Sequence, residues 1–135
     1  MITKETDYAL RLLRVLADGE RHTAADLAEG ELVPQPFAYK ILKKLARAGL
    51  VQVTRGAEGG WQLAADLEKT TLYDLMAAME EDRCLSACMD PAYRCAWRAR
   101  HDGCSVHCRL AAIQEKLDRE LKSHSLAELL LPQGQ

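Results

Sequence analysis

The sequence predicts a mainly α-helical chain carrying one small β-hairpin. Apolar residues recur at helical spacing in several separate stretches, and one short run alternates valines with polar residues ahead of a glycine cluster. A third observation is a cysteine-rich stretch that separates the last long helical pattern from the others. The 135 residues suffice for one domain with an appended element.

The first helix is predicted over residues 4–18, where Ala9, Leu12, Leu13 and Leu16 share one face and Arg11 and Arg14 point away. Asp18-Gly19 ends it. Thr23 caps a second helix, with Asp26 in a capping-box-like position and Ala25, Leu27 and Ala28 following. Gly30 is expected to begin the next turn. Pro34 and Pro36 suit the first turn of a third helix that runs to about Ala48, because proline fits only where its missing N–H is not needed. Its inner stripe is Ala38, Ile41, Leu42 and Leu45. Tyr39, Lys40, Lys43, Lys44 and Arg47 project from the other side, and Gly49 caps the end.

The run LVQVTRGAEGGWQLA then reads as two strands joined by a four- to five-residue turn. Helix, helix, basic helix and hairpin over residues 1–66 describe a winged helix-turn-helix, whose third helix would enter a major groove while the wing reaches adjacent backbone or minor groove. Residues 67–81 hold a linking helix from about Thr71 to Glu80, with Leu72, Leu75, Met76 and Met79 at core spacing. Residues 82–108 contain Pro91 and Gly103 as breakers and are expected to be largely loop. Residues 104–131 give a long helix to Lys122 and a final turn capped by Ser125; Pro132 to Gln135 are expected to fray. Leu110, Ile113, Leu117 and Leu121 stripe the long helix. A small winged domain cannot cover such a stripe alone, so a symmetric homodimer is expected, with two reading helices on successive turns of a palindromic site.

Charge is unevenly placed. From Leu32 to Gly56 there are five bases and no acid, although the whole chain is −2; the remainder carries 13 bases against 20 acids, a balance of −7. A basic segment on an acidic body predicts one anion-binding face, with duplex DNA the leading partner. The plain alternatives are a solvated helix face or a winged helix that binds protein. No secretory pattern opens the chain and no apolar run approaches 18 residues, so a soluble cytoplasmic protein with no membrane contact is expected.

All five cysteines, Cys84, Cys88, Cys95, Cys104 and Cys108, fall within 25 residues. Thiolates so clustered suit an iron–sulfur cluster or zinc. Core packing is disfavoured by the surrounding charges, and structural disulfides by the expected compartment. A thiol switch activated by Arg83, Arg94 or Arg109 remains open. A small redox enzyme or electron carrier is the reading of another class. It is opposed by the lack of a CxxC pair and of any nucleotide-binding glycine motif, so an enzyme is not expected.

Read end to end, the chain resembles the IscR/NsrR/CymR family of bacterial winged-helix regulators. The resemblance is carried by TDYALRLLRVLA, AADLAEG, ILKKLARAGLVQVTRGAEGGWQLA, TTLYDLMAAME, the cysteines and the closing SLAELL. Within it, RGAEGGWQLA matches the family's RGxxGGYxLA, with Trp61 in place of tyrosine. The resemblance implies a homodimeric DNA-binding repressor or activator. In several members three cysteines between the fourth helix and the long helix hold a 2Fe–2S or 4Fe–4S cluster, which would sense iron–sulfur, redox or nitric oxide status.

Cys104 and His107 fall on the family's CxxH, with Cys95 and Cys108 as further ligands. Cys84 or Cys88 would complete a four-thiolate set. His107 or Asp7 of the partner subunit could serve instead. The cysteine gaps here are three, six, eight and three residues, where cluster-bearing relatives usually show five or so. CymR-like members without a cluster lack this cysteine set. On the DNA side, Gln35, Tyr39 and Lys40 occupy the family's base-reading positions, Lys43, Lys44 and Arg47 suit phosphates, and Arg55 matches the wing arginine.

Overall fold

The computed structural model describes residues 1–132. The expectation of a frayed end for residues 133–135 lies outside the described residues. Helix α1, Lys4–Leu16, starts at the N-cap Thr3 and carries Glu5 and Asp7 in its first turn and Arg14 in its last, the signs that complement the helix dipole. Ala9, Leu12, Leu13 and Leu16 are all fully buried, as their spacing requires.

Helix α2, Ala24–Glu31, begins at Thr23, whose hydroxyl accepts from the Asp26 amide at 3.1 Å. Gly30 does not begin the turn but lies inside α2. The left-handed cap is Leu32, with φ 55°, and the Val33 amide donates to the Ala28 carbonyl at 2.9 Å. Glycine is tolerated within a helix at a cost of about 1 kcal/mol, and turning two residues later brings Val33 into the core. Helix α3, Gln35–Arg47, has Pro34 as its N-cap and buries Ala38, Ile41, Leu42 and Leu45 against α1 and α2. Gly49, at φ 81°, supplies the left-handed residue that turns the chain away.

Strands β1, Val51–Thr54, and β2, Gly60–Leu63, pair antiparallel with Val53 opposite Trp61. The hairpin's base is held by a bridge to the segment before α2. The His22 amide donates to the Trp61 carbonyl at 2.9 Å, and the Trp61 amide donates back to the His22 carbonyl at 2.7 Å. Trp61 is buried. Of the two alternating valines only Val51 is covered; Val53 is 47% exposed, because the hairpin projects beyond the helices at its outer end.

Helix α4, Leu72–Ala78, opens with a full capping box between Thr71 and Asp74. It closes at Glu80, a second non-glycine residue at positive φ, 59°. The cysteine stretch that follows is not all loop: it forms a 3₁₀ turn at Ala87–Met89 and a short helix α5, Ala96–Arg100. Helix α6, Ser105–Ser123, packs on α4 and on the 3₁₀ turn, yet none of its residues is buried. Val106 is 62% and Ile113 53% exposed. Helix α7, Leu126–Leu130, returns to the winged domain. There the Leu126 amide donates to the Thr70 carbonyl at 2.8 Å, the Ala127 amide to the Leu67 carbonyl at 2.9 Å, and the Leu126 side chain is fully buried. No helix among the described residues is long and apolar enough to cross a membrane.

Candidate functional site

The outer surface of α3 divides into two rows. Gln35, Tyr39, Lys43 and Arg47 follow one another at four-residue steps and are exposed. Tyr39, Lys43 and Arg47 line a groove whose opposite wall is the wing, with Arg55 and Gly56, and whose end is Thr23 and Ala24 at the start of α2. Tyr39 sits edge-on to Trp61, ring centres 6.1 Å apart, and Lys43 Nζ lies 4.8 Å over the Tyr39 ring. The α2 dipole adds its positive end to a groove already lined by three cationic side chains. Such a groove attracts a polyanion and offers an aromatic edge and amide groups for contact.

Lys40 and Lys44 form the second row and turn toward α1. Lys40 Nζ is 2.8 Å from Glu5 Oε1, and Lys44 Nζ is 3.2 Å from Glu5 Oε2 and 3.7 Å from Glu80 Oε2. Hydrogen bonds from the two lysines hold the Glu5 carboxyl below the usual carboxylate range, against a smaller opposing effect of burial. Of the seven residues expected to contact DNA, Lys40 and Lys44 are paired within the chain, and Gln35, Tyr39, Lys43, Arg47 and Arg55 form no ion pair among the described residues.

The wing depends on Gly59 and Gly60. A side chain at Gly59 would overlap the Thr54 carbonyl oxygen, and a Cβ at Gly60 would lie 2.8 Å from the His22 carbonyl oxygen. The first contact sets the tip and the second the bridge that carries Trp61.

Gln114 of α6 clasps the start of the cysteine segment. Gln114 Oε1 accepts from the Leu85 amide at 2.7 Å, while its Nε2 donates to the Arg83 carbonyl and to Asp118, both at 2.8 Å. Alongside, the Tyr73 ring of α4 takes the Arg83 guanidinium at 4.5 Å and Lys122 Nζ at 4.6 Å. Cys84 lies beside this clasp. Cys84 is exposed; local desolvation and the carboxylates of Asp82 and Asp90 push its thiol up, outweighing Arg83. Cys88 is in the 3₁₀ turn packed on α6, next to Met89, which shares a groove with His107. Cys95 is the N-cap of α5. Cys104 is the N-cap of α6, its sulfur accepting from the His107 amide at 3.4 Å. Cys108 follows one turn on, exposed. All five thiols are free.

The donors suit a soft metal centre. Besides the free thiols, His107 Nδ1 is buried three residues after Cys104 with no hydrogen-bond partner among the described residues. Among the described residues, however, no three His, Cys, Asp or Glu side chains converge within one chain. Asp7, the acid considered from a partner subunit, is paired in its own chain with Arg11 at 3.1 Å. Sequence reasoning missed Glu5, Tyr73, Glu81 and Gln114. Each acts on a residue at least 10 positions away, and local spacing carries no signal of that.

A winged helix with a cationic face on α3, joined through a thiol-rich segment to a long uncovered helix, is an architecture found in transcription regulators. Residues 2–131 match the Rrf2 family, described as an iron-dependent transcriptional regulator, and the chain belongs to that family. Members are regulators, not enzymes. Protein aau3 of Rhizobium meliloti is 35% identical over 91 residues, 66% of this chain and 59% of that protein. The chain spans less than two thirds of the length of this and another curated relative. Among solved structures, CymR (YrzC), the global cysteine regulator of B. subtilis, superposes with a TM-score of 0.70 at 20% identity, covering 96% of this chain and 95% of CymR. IscR of T. potens gives 0.70 at 19%, covering 99% and 93%. At these identities the likeness shows the shared fold.

Proposed function

We propose that this is a homodimeric regulator that binds a palindromic DNA operator in the cytoplasm and senses iron–sulfur, redox or nitric oxide status through an iron–sulfur cluster. The observation that carries the reading is the donor set at and before the start of α6. Cys104 caps that helix, His107 Nδ1 three residues on is buried with no hydrogen-bond partner among the described residues, and Cys88, Cys95 and Cys108 are free. A 2Fe–2S or 4Fe–4S cluster would supply a redox- and nitric-oxide-reactive centre bonded to thiolates. Cys95, Cys104 and Cys108, with Cys84 or Cys88, would hold it, and His107 or Asp7 of the partner subunit are the remaining candidates.

The chain's own residues would transmit the state of that segment. Gln114 and Tyr73 fasten its beginning to α6 and α4, and Glu81 fastens it to α1. The exposed Val106 and Ile113, with Leu110, Leu117 and Leu121 beside them, support burial of α6 against a second copy. A shift of the segment would then alter the spacing of the two α3 helices. For binding, Lys43 and Arg47 would take phosphates, Gln35 and Tyr39 would face base edges and Arg55 would enter the adjacent groove.

A second reading, a thiol–disulfide regulator without a metal centre, is favoured by one observation: among the described residues no three His, Cys, Asp or Glu side chains converge within one chain. Operator selection from randomised duplexes, using anoxically purified protein, tests the whole proposal. The expected result is a pseudo-palindrome with half-sites about 10 base pairs apart. Cys104→Ala should alter affinity for that operator, and Lys43→Ala should reduce the salt slope by about one. Failure to enrich any sequence would contradict it.

A further inference from the structure

Glu5 holds two of the basic side chains of α3 at once. Lys40 and Lys44 are one helical turn apart, so a single carboxylate reaches both, one oxygen to each, at 2.8 and 3.2 Å. Glu5 is fixed there independently of the lysines. It occupies the first turn of α1, where the helix dipole favours an acid, and the neighbouring N-cap Thr3 and Thr6 are tied to Glu81. Lys44 is 17% exposed and receives Glu80 as well, whereas Lys40 is 58% exposed and lies where a phosphate could compete.

We infer that Glu5 is a specificity-determining residue that withholds Lys40 and Lys44 from DNA phosphates. This rests on the reading of α3 as the DNA-contacting helix. Each lysine that neutralises a phosphate strengthens binding to every sequence alike, because the gain comes from released counterions. An internal carboxylate that occupies two of them lowers the sequence-independent part of the affinity. It leaves Gln35 and Tyr39 free to read bases, and its charge repels a misplaced phosphate backbone. Discrimination, which is the ratio of operator to bulk affinity, rises. Glu5 touches no base in this account; it works through the two lysines.

The test compares Glu5→Gln with the unaltered protein on the selected operator and on a duplex of unrelated sequence, across a salt series. On unrelated DNA the log–log salt slope should steepen by about one to two, since about 0.9 is expected for each lysine released. Affinity at low salt should rise at least severalfold. Operator affinity should rise less, so the ratio falls. Adding Lys40→Ala and Lys44→Ala to Glu5→Gln should return the slope to its original value, and Glu5→Asp should leave it near that value; a bracing role between α1 and α3 would leave the slope unsteepened in Glu5→Gln itself. Lysine acylation of the unaltered protein gives an independent reading. Unrelated DNA should protect Lys43 and leave Lys40 and Lys44 as reactive as in the free protein. An unchanged slope in a folded Glu5→Gln variant, or protection of Lys40 and Lys44 by unrelated DNA, overturns the inference. Absence of any salt-sensitive duplex binding by the unaltered protein would instead overturn the DNA reading, and the inference with it.

Discussion

Glu81 Oε1 accepts a 2.6 Å hydrogen bond from the Thr6 hydroxyl, joining residues 75 positions apart. The same oxygen accepts from the Thr3 amide, so the residue that leads into the cysteine segment grips the first turn of α1. Thr6 is fully buried and Glu81 nearly so.

Glu81→Ala should therefore destabilise the protein by about 1–3 kcal/mol, the cost of leaving a buried hydroxyl and an amide without their acceptor. Urea unfolding at neutral pH measures it. Burial alone would raise the Glu81 pKa, but hydrogen bonds from Thr3 and Thr6, with the N-terminal ammonium, outweigh it and hold the carboxyl below its ordinary value. With the folded pKa depressed, this stabilisation is complete above the unfolded value of about 4.3 and is lost as pH falls through the folded value. The Tm difference between the two proteins should shrink on acidification.

His124 gives the opposite sign. Its Nε2 is 2.8 Å from Glu120 and its Nδ1 3.2 Å from Glu128, and these two carboxylates raise its pKa. Its contribution is present below the unfolded value of about 6.5 and is lost as pH rises through the folded value. The pair bridges α6 to α7 at the surface, so the effect is modest. Thermal melts of His124→Gln should fall below those of the parent protein at pH 6 and coincide with them at pH 9.

Gly60→Ala should damage the wing. Its Cβ would stand 2.8 Å from the His22 carbonyl, and relieving that contact breaks the bridge that holds Trp61. A loss of about 1–3 kcal/mol, typical of overpacking, is expected, with a shifted Trp61 emission as the local signature.

In the proposed homodimer, Ile113→Glu, alone or with Val106→Glu, should separate the two copies, because a carboxylate on a face covered by its own symmetry copy meets a like charge. Sedimentation should show monomers while circular dichroism retains the helical signal, since neither side chain contributes to the chain's own core.

The winged domain was legible because its information is local. Ala9, Leu12, Leu13 and Leu16, and Ala38, Ile41, Leu42 and Leu45, announce their buried faces by period alone, and Thr23 and Ser125 announce their helix starts. Gly30 misled for the same reason: glycine can sit inside a helix when the next buried residue lies further on. At the site, the exposed row of Tyr39, Lys43 and Arg47 followed from the pattern. The pairing of Lys40 and Lys44 with Glu5 did not, because the contacts span 35 and 39 residues. The cysteines advertised soft-metal chemistry by their number; which of them meet depends on tertiary placement of a segment with little repeating structure.

The most direct test of the account is the metal content of the protein purified without oxygen, read from visible absorption with iron, acid-labile sulfide and zinc analysis. A brown protein carrying iron and sulfide in comparable amounts is expected, with the colour lost in Cys104→Ala. A colourless protein free of iron after strictly anoxic handling would contradict it.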